Sequence, residues 1–160
     1  MRSTVVAGAI AGLVAGIVFG LMMQMMSAPG PGGSPVPMIA MVAQVVGSSS
    51  LAVGWLYHLV NSAVIGAVFG LLLGGRVGTI RRGVIWGAGY GILWWVLGGL
   101  VLMPLFLGMP PFAPLRMSPM RSVAMGSLVG HIMYGAVLGA ALARLLSGAC
   151  TPLVRAQRHA

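Results

Sequence analysis

The sequence predicts an all-α integral membrane protein, a four-helix bundle built from two parallel-repeat helical hairpins. Three observations predict this class. Only 6% of the 160 residues are charged and 59% are hydrophobic, whereas a soluble domain is about 25% charged. Four stretches without charged residues are long enough to cross a bilayer, which takes about 20 apolar residues. The second half of the chain also repeats the pattern of the first half.

The uncharged stretches predict one membrane domain with four spans, near residues 4–26, 51–74, 83–107 and 124–147. The first span ends at the segment Ser27–Pro37, because its prolines and glycines cannot continue a helix. The third span ends before the Pro110-Pro111 pair. The outer loop, residues 27–50, contains an apolar segment over 38–46 that is too short to cross. We therefore expect a short surface or re-entrant helix in this loop.

The placement of the arginines predicts the orientation in the membrane. Four spans put both termini and the loop 75–82 on one side, and that side carries seven of the nine arginines. The other side carries Arg116 and Arg121. Because cytoplasmic loops carry the excess of positive charge, we expect the N- and C-termini to lie in the cytoplasm.

The residue types that are missing exclude several classes of function. The chain has no Asp, Glu or Lys. Without carboxylates it can form neither a Ser-His-Asp triad nor a glycosidase pair, and Mg²⁺ and Ca²⁺ lose their usual ligands. The arginines are too dispersed for a nucleic-acid surface. The sequence therefore predicts a protein that is not an enzyme and does not bind nucleic acid.

An internal repeat relates the two halves. The ten residues that begin at His58 resemble the ten that begin at His131, at an offset of 73 residues without a gap. Glycines of the first span recur in the third span at an offset of 71. Both copies start on the same side of the membrane, so the repeat is parallel and its pseudo-axis lies along the membrane normal.

Glycines four residues apart form a packing ridge along the spans. Its members are Gly12, Gly16, Gly20, Gly66, Gly70, Gly87, Gly91, Gly135 and Gly139. Small residues at this spacing let helix backbones approach closely inside a membrane. The ridges either hold the bundle together or dock onto neighbouring subunits. The expected partners are thus the lipid bilayer and either other membrane subunits or further copies of this chain.

Two histidines, His58 and His131, are the leading candidate site. Each lies on the small-residue ridge of its helix, about seven residues or roughly 10 Å inside the outer end of its span. An ionisable residue inside a membrane indicates a functional site by default. The pair could provide axial ligands to haem or another tetrapyrrole. It could instead form hydrogen bonds across the bundle, or share a metal ion with methionines.

The methionines are concentrated at one end of the molecule. Eleven of the 13 fall at or beyond the predicted outer end of the spans. The densest group is Met22, Met23, Met25 and Met26. Thioethers are soft ligands that suit Cu(I), so this group is a candidate copper site. The alternative is that these side chains fill gaps where helices meet loops.

Glycine and aromatic patterns in four segments resemble small bacterial inner-membrane proteins of the YagU group. The segments are Val53–His58, Ile65–Gly70, Ile92–Gly98 and Gly130–Gly135. The resemblance implies a multi-pass protein of the bacterial inner (cytoplasmic) membrane. It implies no activity and assigns no functional residue.

The predicted function is that of a non-enzymatic structural or accessory subunit, which could hold a prosthetic group between the two histidines. Three alternatives stay open on the sequence alone. They are a haem- or chlorin-binding electron-transfer or pigment subunit, a membrane protein that binds Cu(I) or another soft metal, and a passive channel for neutral solutes.

Overall fold

The computed structural model describes residues 2–29 and 33–156, with side chains over 4–29 and 33–148. Four of its helices are long and apolar enough to cross a membrane: Thr4–Met25, Leu51–Arg76, Ile80–Phe106 and Ser118–Gly148. The prediction of a mainly helical chain with four long apolar helices is confirmed.

The described residues form helices α1 (Arg2–Met25), α2 (Met38–Gln44), α3 (Leu51–Leu73), α4 (Ile80–Trp94), α5 (Met103–Phe106), α6 (Ala113–Arg116) and α7 (Arg121–Ala156). Two short strands, β1 (Ser27–Pro29) and β2 (Pro35–Pro37), pair antiparallel in the outer loop. Short 3-10 helices cover Gly74–Arg76 and Ser118–Met120. The third span continues from α4 through a π-helical stretch, Trp95–Leu102, into α5.

The ends of the spans differ from the predicted bounds where charged residues continue a helix. α4 begins at Ile80 rather than near 83, because the Thr79 side chain caps it by accepting a hydrogen bond from the backbone N–H of Arg82 at 3.3 Å. α7 begins at Arg121 and continues to Ala156. A helix does not have to end where its apolar residues end. The charge pattern therefore predicts the uncharged part of each helix, but not the residues at which the helix begins and ends.

The long helices pack as two pairs, α1 with α3 and α4 with α7. Contacts between α1 and α7 join the pairs, whereas α3 and α4 barely touch although they are consecutive in the chain. The bundle is therefore closed along three of its sides and loose along the fourth, between α3 and α4.

Glycines bring the backbones of each pair into direct contact. A Cβ added at Gly12 would collide with the carbonyl oxygen of Ser62, and one added at Gly87 would collide with that of Gly135. Seven of the nine residues of the predicted packing ridge lie at such backbone contacts within the chain, whereas Gly16 and Gly20 lie against the side chains of Ser62 and Trp55. The ridges are thus occupied inside the bundle rather than exposed for another subunit.

The outer loop covers one end of the bundle. Its helix α2 packs on α3, and the side chains of Ile39 and Ala43 are fully buried. Gly54 of α3 allows this approach, because a Cβ there would meet the Ile39 carbonyl oxygen at 2.5 Å. α2 places Met38 and Met41 over the space between α3 and the third span.

Candidate functional site

A cavity of about 400 Å³ lies where α3 and the third span separate. We call it the histidine cavity and define it by His58 and Ser62 on α3, Trp94 and Gly99 on the third span, and His131 on α7. Its size falls within the roughly 300–1,000 Å³ that is usual for small-molecule sites. Both sequence-predicted histidines therefore face the protein interior and the same space.

The third span makes room for this cavity. Its π-helical stretch, Trp95–Leu102, departs from the α-helical repeat, a feature that is frequent at functional sites. Gly99 contributes no side chain to the space. The lining residues Val64, Leu102 and Phe106 are 57%, 43% and 63% exposed, so the cavity also opens sideways between α3 and the third span.

His58 is held by the backbone of α1. Its Nε2–H donates a hydrogen bond to the carbonyl oxygen of Gly16 at 2.9 Å, and only 8% of the residue is exposed. A carbonyl oxygen can only accept, so Nε2 carries the proton. The chain offers no carboxylate to pair with an imidazolium. In the neutral ring, Nδ1 then keeps an unshared electron pair.

His131 is held by its own helix in the opposite tautomer. Its Nδ1–H donates a hydrogen bond to the carbonyl oxygen of Ser127 at 2.7 Å, and the Ser127 hydroxyl lies 3.3 Å from the same nitrogen. The unshared electron pair of His131 is therefore on Nε2. The two imidazoles thus each combine a fixed N–H with a nitrogen that can accept a proton donor or a metal ion.

Phe19 packs edge-on against both histidines. Its ring centroid lies 5.7 Å from that of His58 and 4.8 Å from that of His131. The centroids of the two imidazoles are consequently no farther apart than the sum of these two distances. A tetrapyrrole whose iron took both imidazoles would need the space that Phe19 now fills against them.

Two tyrosines tie the second helix pair to the backbone of α3. The hydroxyl of Tyr134 donates to the Ser62 carbonyl oxygen at 2.8 Å, and the hydroxyl of Tyr90 donates to the Ile65 carbonyl oxygen at 3.0 Å. These bonds hold α3 in place where it makes little contact with α4. The sequence analysis did not identify Tyr90, because the sequence alone does not show which backbone carbonyl accepts the hydrogen bond of a single tyrosine in a span.

The four methionines of the predicted copper cluster do not converge. Met23 is 4% exposed and lines the histidine cavity, whereas Met25 is 87% exposed. Met22 and Met26 pack on α7, against the backbone at Gly130 and Gly126 respectively. Two of the four side chains thus face α7, one faces the cavity and one is at the surface, so they do not form one four-sulfur site.

A different group of methionines meets around the histidines. Thioethers from α1, α2, the third span and the segment before α7 line the histidine cavity: Met23, Met38, Met41, Met103, Met109 and Met120. Only Met23 belongs to the predicted cluster. The uneven distribution of methionine along the chain indicated a methionine-rich end of the molecule. It does not show which methionines face the cavity.

A second cavity adjoins the first on its outer side. It measures about 380 Å³, and Met117, Gln44 and Pro29 are among its lining residues. The two cavities share four wall residues, Met41, Leu107, Met109 and Met120. We call this second space the outer cavity.

Two tryptophans complete the wall of the histidine cavity. The indole N–H of Trp95 donates to the carbonyl oxygen of Ala124 at 3.0 Å. The indole nitrogen of Trp94 is buried and makes no regular hydrogen bond within the described residues, although the Tyr90 hydroxyl lies close to it.

No group of three or more His, Cys, Asp or Glu side chains within the described residues could hold a metal ion. A metal ion in the histidine cavity would consequently need thioethers besides the two imidazoles. This separates the site from zinc centres, which use cysteine, histidine and carboxylate ligands.

No family model, curated protein or solved structure matches this chain. The function is therefore inferred from the geometry of the histidine cavity.

Proposed function

We propose that this chain is a non-enzymatic integral protein of a bacterial inner membrane, and that it serves as a small accessory subunit which holds a ligand or prosthetic group in the histidine cavity. One observation carries the proposal. His58 and His131 line the same cavity of about 400 Å³, and each has one ring nitrogen that makes no hydrogen bond to the part of the chain that the structure describes. Polar side chains are costly inside a membrane, so two of them around one space favour a binding role.

The outer surface of the bundle supports insertion in lipid. Large apolar side chains are exposed on each long helix, for example Val6 (58%), Leu56 (65%), Ile85 (60%) and Val129 (60%). In water such a surface would drive aggregation. In a bilayer the same side chains meet acyl chains, and helices satisfy their own backbone hydrogen bonds.

The ends of the bundle support the proposed orientation. Thr4 of α1 contacts Gly70 and Gly74 of α3, so the N-terminus lies at the same end as the turn that carries Arg76. Arg116 lies at the opposite end, before α7. The excess of arginine at the first end supports cytoplasmic termini.

The contacts between glycines support a duplicated hairpin. Gly12 meets Gly66 in the first helix pair, and Gly83 meets Gly139 in the second. The members of these two contacts are related by the same offsets, 71 and 73 residues, that the sequence shows. The proposed repeat therefore relates the packing contacts of the two hairpins as well as their residue types.

Contact with another membrane subunit would use the exposed apolar faces. The glycine ridges are occupied within the bundle. α3 offers Leu56, Val60 and Val64, which are 65%, 52% and 57% exposed along one side of the helix. An accessory role is compatible with such a face, since helix association in lipid depends on side-chain packing.

A cavity-filling variant tests the proposal. A Cβ at Gly99 would lie 3.4 Å from Trp95 and 3.7 Å from Cε1 of His131, so Gly99→Leu directs its branch into the site. We expect protein purified in mild detergent to carry a bound molecule or ion, detected by native mass spectrometry and elemental analysis, and Gly99→Leu to lose it. Gly89→Leu is the matched control, because Gly89 has open space around it. Wild-type protein without any bound species would overturn the proposal.

A tetrapyrrole is the second candidate, because the two imidazoles line one cavity whose wall includes Gly98 and Gly99. It would have to displace Phe19, which packs against both rings. In that case the purified protein should show haem or chlorin absorption bands, which Phe19→Trp should weaken because a larger ring at this position is harder to displace from the imidazoles. A colourless preparation after addition of haem would exclude this candidate.

A further inference from the structure

We propose that the histidine cavity binds a soft monovalent metal ion, copper(I), through His58, His131 and the thioethers that surround them. This inference rests on the proposed function and names the class of its ligand. The proposed sulfur ligands are methionines that line the histidine cavity. Of the group Met22–Met26, only Met23 is among them.

The first argument is the way in which the two imidazoles are held. A histidine that binds a metal usually donates its other ring N–H to a carboxylate, a backbone carbonyl or water, which fixes both tautomer and ring orientation. His58 donates to Gly16 and His131 donates to Ser127, both through backbone carbonyls. Each ring therefore already has the arrangement of a metal ligand, with its unshared pair on the remaining nitrogen.

The second argument is the chemistry of the other donors. Thioether sulfur and imidazole nitrogen are ligands that suit Cu(I), while hard cations require oxygen ligands. Met23 and Met120 are 4% and 7% exposed and belong to the largely apolar wall of the cavity. All of these donors are neutral. Since the cost of burying an ion rises with its charge, a neutral donor set in an apolar cavity favours a monovalent ion over a divalent one.

The third argument is a path from the surface. The outer cavity begins at Met117, which is 46% exposed, and it shares Met41, Met109 and Met120 with the histidine cavity. Thioethers therefore line the way from the outer surface to the imidazoles. Arg116 and Arg121, which adjoin Met117 and Met120 in the chain, are both exposed to solvent, where salt screens their repulsion of a monovalent cation.

The test is a competition for copper(I). Full-length protein in mild detergent, with ascorbate present, is titrated against a coloured Cu(I) chelator. We expect one tightly bound Cu(I) per chain. His58→Gln and His131→Gln keep an N–H that can donate to the backbone carbonyl but remove the imidazole, so each should weaken binding roughly tenfold or more. The double variant Met103→Leu/Met120→Leu should also weaken it.

The matched control is Met22→Leu/Met25→Leu, which removes two thioethers outside the cavity and should bind copper like wild type. Circular dichroism and gel filtration identify variants that fail to fold. X-ray absorption of the copper-loaded wild type provides a second readout, in which nitrogen and sulfur neighbours are expected. Absence of copper binding by wild type, unchanged binding by both glutamine variants, or equal loss in the control overturns the metal assignment.

The assignment and the proposed function fail in different ways. If wild type binds no copper but carries an organic molecule that Gly99→Leu removes, the copper assignment is wrong and the proposed function stands. If neither copper nor any other species is bound, both are wrong.

Discussion

At the scale of single residues, the buried polar side chains share one feature: they donate hydrogen bonds to backbone carbonyl oxygens. His58, His131, Tyr90 and Tyr134 all donate to carbonyl oxygens that also belong to helices. Such bonds satisfy the donor but use only one polar atom of each imidazole. The tyrosines thereby tie helices together, whereas each histidine has a second ring nitrogen, to which we assign the proposed ligand.

Tyr134→Phe tests this division of roles. The substitution removes the bond to the Ser62 carbonyl but keeps the ring, which is 3% exposed. We expect a loss of about 1 kcal/mol in the free energy of unfolding, the scale of hydrogen bonds between membrane helices. Unfolding of the protein in mixed micelles measures the change.

Tyr57→Phe is the control for this prediction, because Tyr57 lines the histidine cavity without a hydrogen bond in the described part of the chain. It should leave the free energy of unfolding nearly unchanged. Equal losses for the two variants would show that the bond between Tyr134 and Ser62 contributes nothing specific.

At the scale of the elements, close backbone contact holds each pair of helices. In the pair of α4 and α7, a Cβ at Gly87 would collide with the Gly135 carbonyl oxygen, and a Cβ at Gly135 with that of Gly87. The contact is reciprocal and involves backbone, which cannot rotate away. In the proposed membrane setting close packing matters, because apolar side chains gain little from leaving lipid for another helix.

Gly87→Ala should therefore separate α4 from α7 locally. We expect a loss of about 1–3 kcal/mol in the free energy of unfolding, the usual cost of forcing an extra carbon into a packed contact. Gly89→Ala, two residues away with nothing within 4 Å, should be neutral or stabilise the helix by up to about 1 kcal/mol. Thermal unfolding in one detergent compares the two variants. Similar behaviour of both would contradict the packing role of Gly87.

The elements also show which features were predictable. Span locations follow from uncharged length, which lipid imposes on any sequence. The π-helical stretch Trp95–Leu102 does not follow, because no periodic signal distinguishes it from an α-helix. The spacing of His58 and His131 predicted that both face protein, but not that Phe19 from another helix packs against them. The methionines around the site come from four segments, which only the tertiary fold brings together.

At the scale of the whole molecule, the bundle is asymmetric along its axis. One end carries arginines, among them Arg76, Arg81, Arg82 and Arg144. The other end carries the outer loop, the thioethers and the outer cavity. If the proposed orientation is right, the methionine-lined path opens away from the cytoplasm. Any ion or molecule that uses it then arrives from outside the cell membrane, and the arginine-rich end keeps the bundle from inverting.

Labelling of single cysteines tests this orientation. After Cys150→Ala, a cysteine is introduced at Ser118, which is exposed near the outer cavity, or at Gly78, which has open space in the turn between α3 and α4. A thiol reagent that does not cross membranes should label Ser118→Cys in intact cells and Gly78→Cys only after the membrane is permeabilised. The permeabilised samples control for the amount of each variant. Labelling of Gly78→Cys in intact cells would place the arginines outside, and the path to the histidines would then open to the cytoplasm.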